Sequence, residues 1–305
     1  MSSSSLFVRV VPGLFVVLWA TGFIGAKLGL PYAESQTFLA LRFALVTLLV
    51  VPLAVVLKAQ WPRDLRLMGH AAVVGIMVHS LYLGAVFASI EQGLPAGLSA
   101  LIVCLQPILT ATVVGPLLGE TVRPRQVVGL VLGLLGVVMV LSDRMDLAVG
   151  AELFEGFGIP AVLLSVLALL AITSGVVYQK RFCTDLDLWS GAAIQYSAAT
   201  LATGVVALAF EDNHITWSGE FLFALGWLVF VLSLGAVSLL MLLIRLGEAG
   251  RTASLFYLVP PVTGTIAWLL FDERLGPLAL VGMAVAAVGV ALVVVRPRGP
   301  QRGHS

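Results

Sequence analysis

The stretch Ala96–Leu141, AGLSALIVCLQPILTATVVGPLLGETVRPRQVVGLVLGLLGVVMVL, decides the architecture because it returns without a gap at Ala249–Val294, 153 residues on. The register superimposes Ala96 on Ala249, Gly97 on Gly250, Pro107 on Pro260, Thr110 on Thr263, Thr112 on Thr265 and Glu120 on Glu273, then Pro124 on Pro277, Gly129 on Gly282 and Gly136 on Gly289. Self-similarity at a fixed offset is the mark of an internal duplication. The same offset extends to earlier runs, pairing Gly22 with Gly175, Lys27 with Lys180, Arg42 with Gln195, Phe43 with Tyr196 and Thr47 with Thr200.

The duplicated unit is built for a bilayer. Sixty per cent of the 305 residues are apolar and 11% charged, against roughly 25% charged in a soluble domain. A membrane-spanning helix needs about 20 mostly apolar residues. The chain offers such runs at 10–30, 36–57, 68–90, 95–118, 125–142, 158–180, 188–210, 220–243, 250–271 and 276–295. The fold class is therefore all-α integral membrane, with ten transmembrane helices in two units, residues 12–142 and 158–295. The breaks are too short to fold alone, so function resides in the helices. Arg9 precedes a long apolar run without a small-residue cleavage site, which reads as a start-transfer helix that is retained. Cys104 and Cys183 are placed for packing and do not make a disulfide framework.

The net charge of +1 hides a sided distribution. Thirteen Lys and Arg, among them Lys58, Arg63, Arg123, Lys180 and Arg245, fall on one set of alternate breaks, whereas Arg144 and Arg274 fall on the other. Basic residues are retained on the cytoplasmic side, so both termini are expected in the cytoplasm. The opposite side is acidic, with Glu34, Glu91, Glu211, Asp212 and Glu273. Because five is odd, the two five-helix units enter the membrane from opposite sides and form inverted repeats. That is the architecture of many secondary transporters, in which two halves rock about a site near the midplane.

The run WATGF at Trp19–Phe23, LRFAL around Arg42, the AG pair followed by a mid-helix proline, GE and a glycine-spaced fifth helix resemble the EamA-type branch of the drug/metabolite transporter superfamily. The resemblance covers nearly the whole chain and rests on the order, spacing and duplication of these motifs. It implies a multi-pass carrier of the bacterial inner membrane that moves small metabolites, with exporters of amino acids and related compounds prominent. The second unit departs from the first at Gln195, where the first has Arg42, and at Ile172, where it has Trp19.

Read from the residues, the candidate site begins at Pro107, Pro260 and Pro261. Each lacks an N–H and clashes with the carbonyl four residues earlier, freeing the oxygens of Val103, Phe256 and Tyr257. Interrupted helices at matching positions of two halves point to a transport site; a structural kink filled by neighbours is the other reading. Polar side chains near that level are Thr21, His79, Tyr82, Gln106, Ser174, Tyr178 and Tyr257, the expected substrate-binding set. Hydroxyls also bond back to their own helix. His79 fits either a proton carrier or a neutral interhelical hydrogen-bonder. Lys27 and Arg42 are the charge or gating candidates, since a cation inside the membrane is a functional-site hypothesis by default. Lys27 also fits snorkelling to the interface, and Arg42 fits pairing with Glu34, capping of carbonyls or attraction of a substrate carboxylate.

No Asp or Glu lies deep in any run, which disfavours cationic drugs as substrates. No G-x-x-x-x-G-K-[ST] is present, so movement does not draw on ATP bound by this chain. The expectation is a secondary active exporter working by alternating access on a small zwitterionic or weakly anionic metabolite. It needs no cofactor, metal or nucleic acid and has the lipid bilayer as its other partner; the oligomeric state is left open, a monomer included. The competing reading is an integral-membrane enzyme acting on a lipid-linked substrate, against which stand the missing H-E-x-x-H and G-x-S-x-G motifs.

Overall fold

Inside a bilayer no water satisfies backbone N–H and C=O groups, so an apolar run closes its hydrogen bonds within itself. The computed structural model describes residues 3–110, 123–143, 156–236, 239, 255–273 and 275–294. Among them the structure is helical, with a single isolated β-bridge between Ala33 and Ile215. We label the helices α1 (Ser3–Gly29), α2 (Ser35–Val56), α3 (Leu65–Glu91), α4 (Ala96–Leu109) and α5 (Pro124–Ser142). They continue as α6 (Ile159–Phe182), α7 (Leu188–Phe210), α8 (Gly219–Ala236), α9 (Phe256–Phe271) and α10 (Pro277–Val294).

Seven described helices are long and apolar enough to cross a membrane, and α4, α9 and α10 are shorter apolar helices. Parts of the expected spans, at 111–118, 237–238, 240–243 and 250–254, lie outside the described residues, as do Gly115, Gly119, Glu120 and Arg274. Among the described residues π-helical segments lie in α3 over Ile76–Leu81 and in α8 over Trp227–Ala236, and Thr110 directly after α4 is also π-helical. Helices α3 and α8 are the third and eighth runs, which match least well in sequence, so the local backbone distortion is shared where the residues are not.

Packing follows side-chain size. On α5, Val127, Val128, Val131, Leu134, Leu135 and Val138 are exposed and form one apolar stripe, the expected face toward lipid tails. Gly129, Gly133 and Gly136 are buried on the other side, where α5 makes the most extensive helix contact of the bundle, against α10. Small residues allow that close approach: a Cβ on Gly289 would stand 2.6 Å from the Gly129 carbonyl oxygen and 2.7 Å from the Gly133 nitrogen. Next in extent, α2 lies along α7, the second half of α3 packs on α6 and its first half on α7, and α4 and α1 both pack on α9. The Thr47 and Thr200 hydroxyls meet at 3.2 Å between α2 and α7.

The links gather at two ends. At one, the Glu211 carboxylate accepts the amides of Gln36 (2.8 Å) and Thr37 (2.7 Å) and the Thr37 hydroxyl (2.7 Å). It therefore caps α2 from the end of α7, an anion on orphan donors at a helix N-terminus. Glu34, the formal N-cap of α2, makes no side-chain cap bond and instead accepts the Asp212 amide at 2.8 Å. The Thr216 amide donates to the Tyr32 carbonyl at 2.8 Å. At the other end the Ser190 hydroxyl donates to the Gln60 carbonyl at 2.8 Å, and Lys58, Arg63, Arg66, Lys180 and Arg181 are exposed around it.

The glycine contact gives a direct test. Gly289→Ala should destabilise the purified protein by about 1–3 kcal/mol through overpacking. Gly204→Ala, where nothing lies within 4 Å of an added Cβ, should be neutral or gain up to ~1 kcal/mol of helix propensity. Thermal unfolding in detergent compares the two, and equal midpoints would remove the packing account of α5 and α10.

Candidate functional site

The proline signal is realised as two interrupted helices. Every residue of Ala96–Val103 is buried. The helix then breaks at Cys104–Leu105 and restarts at Gln106, with Pro107 in its first turn. In α9 a 3₁₀ turn, Phe256–Leu258, precedes an α-helix from Val259 with proline in its first turn. A helix start is where a missing N–H does least harm. The Phe256 carbonyl, freed by Pro260, accepts the Val259 amide and the Cys104 thiol, Sγ to O 3.4 Å. The two interrupted helices are therefore joined at their breaks. They also cross at glycines: a Cβ on Gly97 would lie 3.0 Å from the Gly264 Cα. Thr263 ties α9 to α1 through its hydroxyl on the Ala20 carbonyl at 3.4 Å.

A second feature is a buried polar cluster between α2, α3, α7 and α8. Arg42 is 3% exposed, and its Nη2 donates to the Ser233 Oγ at 3.0 Å. Tyr196, Tyr82 and His79 bear on it electrostatically, and the guanidinium sits 5.9 Å over the Phe43 ring. The His79 ring stacks on Tyr196 with centroids 4.3 Å apart and adjoins Gln195. His79 lies in the π-helical segment of α3 and Ser233 in that of α8. Such segments widen a turn and are frequent at functional sites. Tyr82 in turn adjoins Cys104, which connects the cluster to the breaks of α4 and α9.

The structure thus brings Arg42, His79 and Tyr82 together, and places Gln106, Pro107, Tyr257, Pro260 and Pro261 at the interruptions. The Tyr257 hydroxyl is buried with no hydrogen-bond partner among the described residues. Thr21 donates to the Leu18 carbonyl at 2.6 Å and accepts the Trp227 Nε1 at 2.9 Å, an α1–α8 contact. Ser174 lies on an exposed face of α6 and bonds back to the Leu170 carbonyl of its own helix. Tyr178 stands near the end of α6, its hydroxyl 2.7 Å from the His70 Nδ1, with both rings against Phe182. Lys27 pairs with Glu273 across α1 and the α9–α10 link, and its Nζ lies 5.0 Å over the Phe271 ring. Glu273 is thus held by a lysine of α1. Both cysteines are free, and burial pushes the Cys183 thiol up from its ordinary value.

Sequence reasoning missed Gln195, Tyr196 and Ser233 as members of the cluster. The signal was present: the 153-residue register puts Gln195 on Arg42, Tyr196 on Phe43 and Ser233 on Ser80. Ser80 contacts α7 through Thr203 and the Ala199 carbonyl, as Ser233 contacts α2.

The profile of the EamA-like transporter family matches residues 13–142 and 159–295. An uncharacterized transporter of Bacillus subtilis is 27% identical, over 91% of this chain and 88% of that protein. An Escherichia coli protein named "Probable amino-acid metabolite efflux pump" is 26% identical, over 92% of each chain. A Streptantibioticus cattleyicolor protein named "Probable terminal-alkyne amino-acid exporter" is 26% identical, over 96% of this chain and 95% of its own. A protein of known crystal structure superposes with a TM-score of 0.62 at 17% identity, over 93% of this chain and 94% of that one, a likeness of fold.

The Lys27–Glu273 pair generates a prediction. Its side chains are 31% and 10% exposed, so the pair contributes about 1 kcal/mol after solvent screening. Glu273→Lys should lower the unfolding midpoint in detergent, and Lys27→Glu with Glu273→Lys should recover most of the loss. A double swap no better than the single variant would show that the contact carries no coupling.

Proposed function

The chain belongs to the EamA-like transporter family, and we propose that it is a secondary active exporter of amino acids or closely related small metabolites, working by alternating access in the bacterial inner membrane. The observation that carries the reading is the matched interruption of α4 and α9 at Pro107 and Pro260, joined by the Cys104 thiol on the Phe256 carbonyl. Irregular backbone at membrane depth is tolerated where protein encloses it or where it lines a wet path.

An inverted pair of five-helix units is supported by contacts that repeat under the 153-residue offset. Gly136 meets Gly282 and Gly129 meets Gly289, which exchange when each residue is replaced by its counterpart. Thr47 and Thr200 are counterparts of one another in direct contact, as expected of residues on a local twofold axis. The α3–α6 and α8–α1 contacts also exchange under it. In this arrangement residues 12–142 and 158–295 form the two halves, both termini face the cytoplasm, and the acidic end around Glu34 and Glu211 faces outward. Gln106, Tyr257, Thr21, His79 and Tyr82 contribute to the substrate path between the halves. The names carried by the Escherichia coli and Streptantibioticus relatives favour amino-acid cargo.

Proteoliposomes test this. Counterflow of labelled amino acids should appear with wild-type protein, with and without a pH gradient, and Gln106→Ala and Tyr257→Ala should each reduce it at least about tenfold while the protein still inserts and folds. Absence of counterflow for every compound would overturn the reading, and unaltered flux in both variants would move the path away from the breaks.

A further inference from the structure

Resting on that carrier reading, we propose that Arg42 is a docking site for a carboxylate of the transported compound, held between α2, α3, α7 and α8. Among the described residues only Nη2 has a hydrogen-bond acceptor, Ser233, while Nε and Nη1 are buried without one. A guanidinium carries N–H donors on all three nitrogens in a rigid fork. Burying such a cation with donors unmet is strongly unfavourable unless an anion completes it. Among the described residues none is supplied: the ion pair present there is Lys27–Glu273, and the groups that bear on Arg42 electrostatically are Tyr196, Tyr82 and His79.

The surroundings select the anion. One buried cation is neutralised by one negative charge, which favours a monoanion over a phosphate dianion. The planar fork matches a carboxylate, which accepts two N–H groups at once, better than a spherical ion. Ser233 and the neighbouring tyrosines and His79 add hydrogen-bonding groups around the oxygens. The stacked His79 and Tyr196 rings, with Phe43 beside both, form an apolar wall of the kind that holds the remainder of a small ligand. Sequence symmetry points the same way: the counterpart of Arg42 is the uncharged Gln195, so the duplicated scaffold does not itself require a cation at this depth.

The test pairs acids with their methyl esters. Binding of L-leucine, L-phenylalanine and lactate to the detergent-purified protein is measured by calorimetry against leucine methyl ester, phenylalanine methyl ester and methyl lactate, with chloride as the spherical monoanion. At least one free acid should bind about tenfold or more tightly than its ester. Arg42→Gln should abolish that difference, and Arg42→Lys should keep part of it. The wild-type comparison stands even if a variant fails to fold. Equal affinity for acid and ester, absence of binding by all three free acids, or chloride binding as tightly as the best acid would each overturn the assignment. Lactate binding as well as leucine supports recognition of the carboxylate alone. Flux separates this proposal from the carrier reading: discrimination of acid from ester with no counterflow upholds the carboxylate site and overturns transport.

Discussion

A proline inside a membrane helix leaves a carbonyl with nothing to accept, and the rest of this structure can be understood as the consequence of enclosing two such defects. Unsatisfied backbone in hydrocarbon is costly, so α4 and α9 belong in the interior. The Ala96–Val103 segment is buried at every residue, α9 packs against both α4 and α1, and the glycines Gly97 and Gly264 let the two interrupted helices approach. The outer helices then solve a simpler problem. Helix α5 turns its glycines to α10 and its valines and leucines outward, and α2 and α7 meet through threonines.

The second constraint is Arg42. A cation this deeply buried normally comes with an acid, yet among the described residues the carboxylates lie at helix ends and links, and none of them pairs with Arg42. Glu211 and Glu34 organise the start of α2 and the α7–α8 link, and Glu273 is taken by Lys27. The polar cluster around Arg42 is therefore complete in shape and incomplete in charge, and it abuts the interruptions through Tyr82 and Cys104. Its two π-helical segments, which place His79 and Ser233, occupy the helices with the least sequence similarity between halves, where a shared scaffold has room for residues that act rather than support.

Much of the fold was legible because hydrophobic run length is a strong signal and a gapless 153-residue repeat constrains it further. The mid-membrane breaks were readable from Pro107 and Pro260, since proline acts locally. The site was less so. Which hydroxyls face inward depends on helix rotation, and rotation is set by packing partners that a single sequence does not name. Ser174 and Tyr178 share a helix with residues that do face the bundle, yet one bonds back to its own backbone and the other joins His70 near a helix end. Gln195 and Tyr196 were visible only as departures of the second unit from the first. Their meaning required α7 to be laid against α2 and α3, which brings them to Arg42 and His79.

The central claim is that the interrupted helices border a path reached in turn from both sides of the membrane. The most direct measurement is modification by a membrane-impermeant thiol reagent of a single cysteine placed at Gln106 in a Cys104→Ala, Cys183→Ala protein, applied from either side of oriented vesicles. Modification from both sides, slowed by transported substrate, is the predicted result. Modification from one side only, or from neither, would contradict alternating access at this site.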